Sequence, residues 1–406
     1  MSALDEIWFE KFKAVGIFDD ITFLKTDNKN YQEQRTLFLS GQIEQPKFIY
    51  QLPIERLATY RLGLTQLRTE IETTEKNATV RSIYLAKIDY QLLKLDLLKS
   101  VHEADDTQFG SLSKRLYGVP SKAEAVMALG TIIKIAEEHN FSLGPIISGL
   151  QRTLSVTALD GSSDFTLAKP TGKKINATEI KVVFEKRLKD LEIDWKVEID
   201  DSVVSIVVSY EKGSICIPEN RSDFESVIVG LLEHEIGVHV TRYVRGLASN
   251  LKLLAVGFPN YLESDEGLAA YYELQKNQTH IPGLSRYVAI ALASGLLDNK
   301  QWNFREIYGF FIEYFTFLSQ VTGRPSSQTD IQDIAWLRSF RVFRGVSSVT
   351  SGTCAYRDLA YWRGYLKMSK IIKAGHFTKE QLLLGKYDPT NDENLSILRE
   401  LNILNI

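Results

Sequence analysis

His234 and His239 stand five residues apart in one apolar run, FESVIVGLLEHEIGVHVTRYVRG, and that spacing constrains the backbone more than any other feature of the chain. Phe224, Val227, Ile228, Leu231 and Leu232 recur at helical steps and mark a core-facing stripe. Ser222 and Glu225 have the spacing of a capping box ahead of it. Both histidines therefore fall inside a helix. On a regular helix, positions five apart are rotated by roughly 140°, so the two rings would diverge. A residue inserted in a π turn widens the local repeat and returns both rings to one side, and such turns gather at functional sites. Gly237 lies inside that turn and lowers the steric cost of distorting it. The spacing demands either a widened helix or two unrelated histidines.

A widened helix would present two imidazoles to one ion. Two histidines and a carboxylate ligate zinc well, leaving the fourth position to water. Glu235 follows His234 directly, where the HExxH helix of metalloproteases carries its general base. A third ligand has to come from a later segment, and LESDEGLAAYYE (262–273) offers Glu263, Asp265, Glu266 and Glu273. The competing reading of these acids is a solvated helix start, where negative charge is favourable anyway. His102, His139, His280 and His376 lack a comparable context and read as structural.

The stretches at 83–101 and 122–139 place apolar residues at three- and four-residue steps and predict helices in an N-terminal lobe. The Gly-, Ser- and Thr-rich stretch 157–179 predicts a surface loop and a lobe boundary. After a helix near 179–190, WKVEID (195–200), VVSIVVSY (203–210) and SICIP (214–218) predict an antiparallel meander. Helices near 265–276, 284–297 and 303–321 follow, then a loop at 322–330 and a mainly helical remainder. The expected fold is α+β and mainly helical. It comprises a helical N-terminal lobe (1–170) and a catalytic domain with a small antiparallel sheet and C-terminal helices (171–406).

A hydrophobic share of 44% with 24% charged residues describes an ordinary soluble protein, and a net charge of −3 gives no global reason to bind nucleic acid. Cys216 and Cys354 are far apart, which argues against a disulfide framework or a cysteine-built zinc site. The N-terminus does not read as a signal peptide. The apolar run YVAIALASGLL (287–297) is shorter than the roughly 20 residues that span a bilayer. The expectation is a cytoplasmic protein without membrane or nucleic-acid partners.

HEIGVH, TRYVRG and DEGLAAY together resemble the microtubule-associated tyrosine carboxypeptidase family, whose bacterial relatives are labelled flavohemoglobin expression-modulating QEGLA motif proteins. The family pattern is HEIGTH, then R-x-x-N-G, then [EQ]-E-G-L-A. Here Val238 replaces the Thr, Arg245 replaces the Asn, and Asp265 precedes Glu266-Gly267-Leu268-Ala269. Weaker echoes run from PKFIY (46–50) to LLLGKYD (382–388). The resemblance implies a zincin-like metallopeptidase that removes a C-terminal residue, tyrosine in the animal members. It implies His234, His239 and Glu266 as zinc ligands and Glu235 as the general base. The substitutions at Val238 and Arg245 fall on the surroundings of the site rather than on its ligands.

A carboxypeptidase must hold a free carboxylate, and the planar fork of arginine suits that task. RVFRGVSSVTSGTCAYRD (341–358) supplies Arg341, Arg344 and Arg357 in a Gly- and Ser-dense segment, read as a pocket wall. Family members tend to carry Lys-Asp where this chain has Arg357-Asp358. Arg242, Tyr243, Tyr271 and Tyr272 lie close enough to the motifs to donate to a developing oxyanion. The expected partner is a peptide or protein C-terminus; substrate identity and oligomeric state stay open. Two other classes compete. Two histidines and a carboxylate also hold non-haem iron, although such sites favour β-barrels that are not evident here. A regulatory or scaffold protein could retain the fold without catalysis.

Overall fold

The computed structural model describes residues 3–201, 203, 205–325, 327–347 and 352–404. Val204 of the expected second strand, Ser326 of the loop at 322–330 and residues 348–351 of the arginine segment lie outside the described residues. The chain is mainly helical with short strands, an α+β composition. It divides into two compact units. One comprises Met1–Phe9, Ala168–Pro282 and Arg363–Ile406; the other comprises Glu10–Leu167 and Gly283–Trp362. The chain passes from one unit to the other after Phe9, Leu167, Pro282 and Trp362. Residues 283–362, expected in the second domain, cluster instead with the N-terminal helices, because a buried apolar helix follows its packing partners and not its neighbours in sequence.

In the mixed unit, β1 (Lys174–Asn176) pairs antiparallel with β5 (Ser222–Phe224). β2 (Lys196–Asp200), β3 (Val207–Ser209) and β4 (Ser214–Pro218) form a second sheet in the order β2-β4-β3. The expected antiparallel meander is therefore incorrect: β4 pairs parallel with β2 and antiparallel with β3. The physical reason is apolarity. β4 buries both Ile215 and Ile217 completely and takes the centre, whereas β2 buries only Val197 and stays at an edge. The capping box expected at Ser222 is also absent. Ser222 belongs to β5, and the helix Glu225–Leu232 starts after Phe224 without a side-chain cap.

A single core joins this sheet to two helical segments. Ile180, Phe184 and Leu188 come from helix Ala177–Asp190, and Ile228, Leu232, Ile236 and Val240 repeat every four residues through the histidine run. Each fully buried aliphatic side chain contributes about 1.5–3 kcal/mol. This stripe therefore fixes the rotation of the histidine run about its own axis. Val238 points elsewhere and packs with Leu268, Ala269 and Met368.

The other unit is helical among its described residues. Helices Ile54–Thr74 and Ala78–His102 are joined through Asn77, whose side chain accepts from Thr79 N and Val80 N. Phe38, Phe48, Phe304, Trp336 and Phe340 form an aromatic core with ring centroids 4.7–6.0 Å apart. Every residue of helix Leu284–Ala293 is buried, which explains its apolar sequence. No helix among the described residues is long and apolar enough to cross a membrane.

Candidate metal centre

Residues Glu233–Val240 form a π-helix between helices Glu225–Leu232 and Thr241–Ala248. The five-residue spacing predicted one inserted residue; the widened segment extends over eight. Hydrogen bonds from i+5 to i stack residues five apart, so the rings of His234 and His239 meet with centroids 4.8 Å apart and planes at 75°. At the end of the segment Thr241 Oγ1 donates to Ile236 O at 2.7 Å. A side chain at Gly237 would place Cβ 2.8 Å from Glu233 Oε2, which Arg187 holds at 2.9 Å from the neighbouring carboxylate oxygen.

Helix Leu262–Leu274 supplies the acids. It crosses the segment that follows Arg363 by backbone contact: a Cβ added to Gly267 would lie 2.6 Å from Gly364 Cα and nearer still to its carbonyl. That close approach sets where the next residue back, Glu266, can reach. Glu266 Oε2 lies 3.6 Å from His234 Nε2 and 3.8 Å from His239 Nε2. The ligating atoms of His234, His239 and Glu266 all fall within 4.8 Å of one another. Glu266 Oε2 is buried and, among the described residues, has no hydrogen-bond partner.

The other acids of the segment go elsewhere. Asp265 Oδ2 lies 2.9 Å from His239 Nδ1, and Glu273 Oε2 lies 2.9 Å from His234 Nδ1. Glu263 turns to Lys367 at 2.8 Å and Arg363 at 3.5 Å. Burial disfavours ionisation of Asp265, but the charges of Lys386, His239 and Arg242 hold its carboxyl well below the usual range. Burial likewise works against Glu273, yet the hydrogen bond with His234 and the charges of His280 and His234 bring it down to about 2. Ionised carboxylates only accept, so each Nδ1 carries the proton and donates. In a neutral imidazole the Nε2 lone pair is then free, and both Nε2 atoms face Glu266.

Burial raises the Glu235 carboxyl above its ordinary range; His234 and His239 oppose that shift, and Glu266 and Glu273 reinforce it. For His234, burial alone would depress the ring, but its contacts with Glu266 and Glu273 raise it well above the usual value. Asp265 has Arg242 at 2.7 Å and Lys386 at 3.9 Å, whereas Glu235, Glu266 and Glu273 gather around two imidazoles. Such a field attracts a cation.

Sequence reasoning missed several neighbours. His280, read as structural, has Nε2 3.4 Å from Glu273 Oε1. Lys386 is buried, with Nζ 3.9 Å over the ring of Tyr210 as well as near Asp265. Burial and then Asp265, Tyr261, Glu235 and Glu266 raise the Tyr210 phenol well above its ordinary range, so this hydroxyl shares the field of the site. No local pattern links these residues to the histidine run. Among the expected oxyanion donors, Arg242 is fully buried and donates to Asp265, Gly385 O and Tyr387 O at 2.6–2.7 Å. Tyr243 packs at a tilt against Tyr210 with centroids 4.8 Å apart, and Tyr271 packs edge-on against Tyr272 at 5.5 Å.

The expected carboxylate-binding arginines lie in the helical unit and line one small cavity with Asp20, Tyr117 and Asp358. Arg341 donates to Asp358 Oδ1 at 2.8 Å. Arg357 donates to Asp19 Oδ2 at 2.7 Å and has Asp20 at 3.5 Å. Arg344 Cζ lies 5.0 Å from the Phe340 centroid, and its buried Nε has no partner among the described residues.

The family model described as microtubule-associated tyrosine carboxypeptidase matches residues 150–405, more than half of the chain. No curated protein matches it.

Proposed function

The chain belongs to the microtubule-associated tyrosine carboxypeptidase family, and from that premise we propose that it is a zinc-dependent carboxypeptidase with a zincin-like core. Its family name points to a carboxypeptidase-type hydrolase acting on a protein. The observation that carries the metal assignment is Glu266 Oε2, buried without a hydrogen-bond partner among the described residues and facing two imidazole Nε2 atoms. A tetrahedron with bonds of about 2.1 Å has edges of roughly 3.4 Å. The N···O separations of 3.6 and 3.8 Å approach that edge.

In this reading His234, His239 and Glu266 hold zinc. When bound there, the ion supplies Lewis acidity: it lowers the pKa of a water to about 7 and polarises the scissile carbonyl. Asp265 and Glu273 fix the tautomer and rotation of the rings. Glu235 takes the proton of the attacking water and passes it to the leaving amine, and burial raises its carboxyl above the ordinary range, the direction that favours both transfers. Arg341, Arg344 and Arg357, proposed from the sequence for a terminal carboxylate, are engaged by Asp358, by the Phe340 ring and by Asp19, and carry no part of this reading. Tyrosine is the first terminal residue to test, on the strength of the family description.

The test is Glu235→Gln, assayed on peptides that differ only in their C-terminal residue. Removing a general base costs about 10²–10⁴ in rate, while zinc content should stay at the wild-type level. Wild-type turnover by Glu235→Gln would remove Glu235 as the base. Absence of hydrolysis by the wild-type protein on all such peptides would favour a non-catalytic role.

A further inference from the structure

Helix Asp106–Tyr117, the end of helix Gln328–Val342 and residues 355–358 enclose the small cavity of the helical unit. Arg341, Arg344 and Arg357 all reach its wall. Two of the three are paired. Arg341 donates to Asp358 Oδ1 at 2.8 Å, and Arg286 donates to the other oxygen of that carboxylate at 2.7 Å. Arg357 lies 2.7 Å from Asp19 and 3.5 Å from Asp20, a pair of acids it shares with Lys94 at 3.0 and 3.3 Å. Arg344 is different. Its Nε is buried and has no hydrogen-bond partner among the described residues, and none of their carboxylates forms an ion pair with it. Only the Phe340 ring backs it, 5.0 Å from Cζ.

The cluster is therefore short of negative charge. Lys94, Arg286, Arg341, Arg344 and Arg357 share three carboxylates, Asp19, Asp20 and Asp358, each already engaged by two of the other cations. A buried donor without an acceptor and a charge without a counter-charge both cost stability, and the two deficits coincide at Arg344. Ser113 adds another donor to the wall: its Oγ accepts from Tyr356 N at 3.1 Å, which leaves the hydroxyl hydrogen for a further acceptor. Leu97 and Phe109 line the rest without hydrogen-bonding groups. The cavity offers about 20 Å³ to the centre of a water-sized occupant, and one such occupant needs roughly 10–15 Å³. Its size suits a single small ion. A monovalent anion only accepts, and it supplies the missing charge.

We infer that this cavity is a halide site that takes one chloride ion. Arg344 Nε and the Ser113 hydroxyl donate to the ion, and Arg341 and Arg357 supply the surrounding positive field. The bound ion ties the end of helix Gln328–Val342 to helix Asp106–Tyr117. The site stands on contacts within the helical unit and is independent of the metal assignment.

Bromide replaces chloride and can be located by its anomalous scattering, so crystals of the full chain soaked in sodium bromide test the placement. The expected result is one anomalous peak in the cavity, within hydrogen-bond distance of Arg344 Nε. A water there without anomalous signal, or no density at all, overturns the inference. Thermal melting supplies the second reading, with chloride exchanged for gluconate, too large for the cavity, at constant ionic strength. Chloride should raise the melting temperature of the wild type in a saturable way. Loss of a charge-assisted hydrogen bond should weaken the chloride affinity of Arg344→Met by about ten- to a hundredfold. An equal chloride response in wild type and variant overturns the assignment to Arg344. Should Arg344→Met fail to fold, Arg344→Lys takes its place: it keeps the charge, loses the Nε donor and should bind chloride about tenfold more weakly. Neither reading involves hydrolysis, so each can fail without touching the proposed peptidase activity.

Discussion

Gly267→Ala gives the closest test of how the acidic helix is placed. An ideal Cβ at this position falls 2.6 Å from Gly364 Cα, with the Gly364 carbonyl nearer still. Carbon atoms in contact need about 3.5 Å, so helix Leu262–Leu274 must withdraw by roughly 1 Å. The obstacle is backbone, and no rotamer change can make room. Glu266 precedes the substituted residue and moves with it, whereas metal sites tolerate displacements of only about 0.2 Å. Overpacking should cost about 1–3 kcal/mol of stability, and misplaced ligands should weaken zinc binding by about 10–100-fold, as disturbed supports of metal ligands do. Chelator competition measures the affinity, and thermal melting of the zinc-free protein measures the packing cost separately. Wild-type zinc affinity with an unchanged melting temperature would refute the wedge and the placement of Glu266 that follows from it.

Other expectations follow from the same contacts. Glu273→Gln removes the ionised acceptor behind His234; zinc affinity should fall about 10–100-fold while the fold survives, read by chelator competition beside circular dichroism. Asp358→Asn leaves Arg286 and Arg341 without their carboxylate and should cost about 3–5 kcal/mol, read by denaturant unfolding. The sign of its pH dependence is fixed. Burial disfavours the Asp358 carboxylate, but Arg341 and Arg286 depress its folded pKa far below the usual range. Its stabilisation is therefore complete above the unfolded value of about 3.9 and is lost as pH falls toward the folded one. The stability gap between wild type and Asp358→Asn should hold steady above about pH 5 and narrow below about pH 4. A gap that widened on acidification would contradict this.

Legibility in the sequence depended on the range of the interaction. The π-helix was readable because its cause is local: two histidines five apart, with Ile228, Leu232, Ile236 and Val240 pinning one face to the core. The choice among Glu263, Asp265, Glu266 and Glu273 was not readable from spacing. One helix presents all four, and their separate destinations depend on Lys367, Arg242, the two rings and the backbone crossing at Gly267. The same distance hid His280 and Lys386. Strand pairing failed for a related reason. Consecutive strands suggested hairpins, but the apolar β4 took the centre of the sheet and forced a parallel pairing with β2. Ser222 was misread because a capping-box spacing cannot exclude a strand, and β1, nearly 50 residues earlier in the chain, claims it as a partner.

The central claim is that the widened helix and the acidic helix converge on one zinc ion. X-ray absorption on protein of known metal content measures this directly. The account predicts about one zinc per chain, with two histidine nitrogens and a carboxylate oxygen at about 2.0–2.2 Å, and loss of the metal in His239→Ala. Protein that takes up no zinc, or that binds it with sulfur ligands or with His234 and His239 absent from the coordination shell, would contradict it.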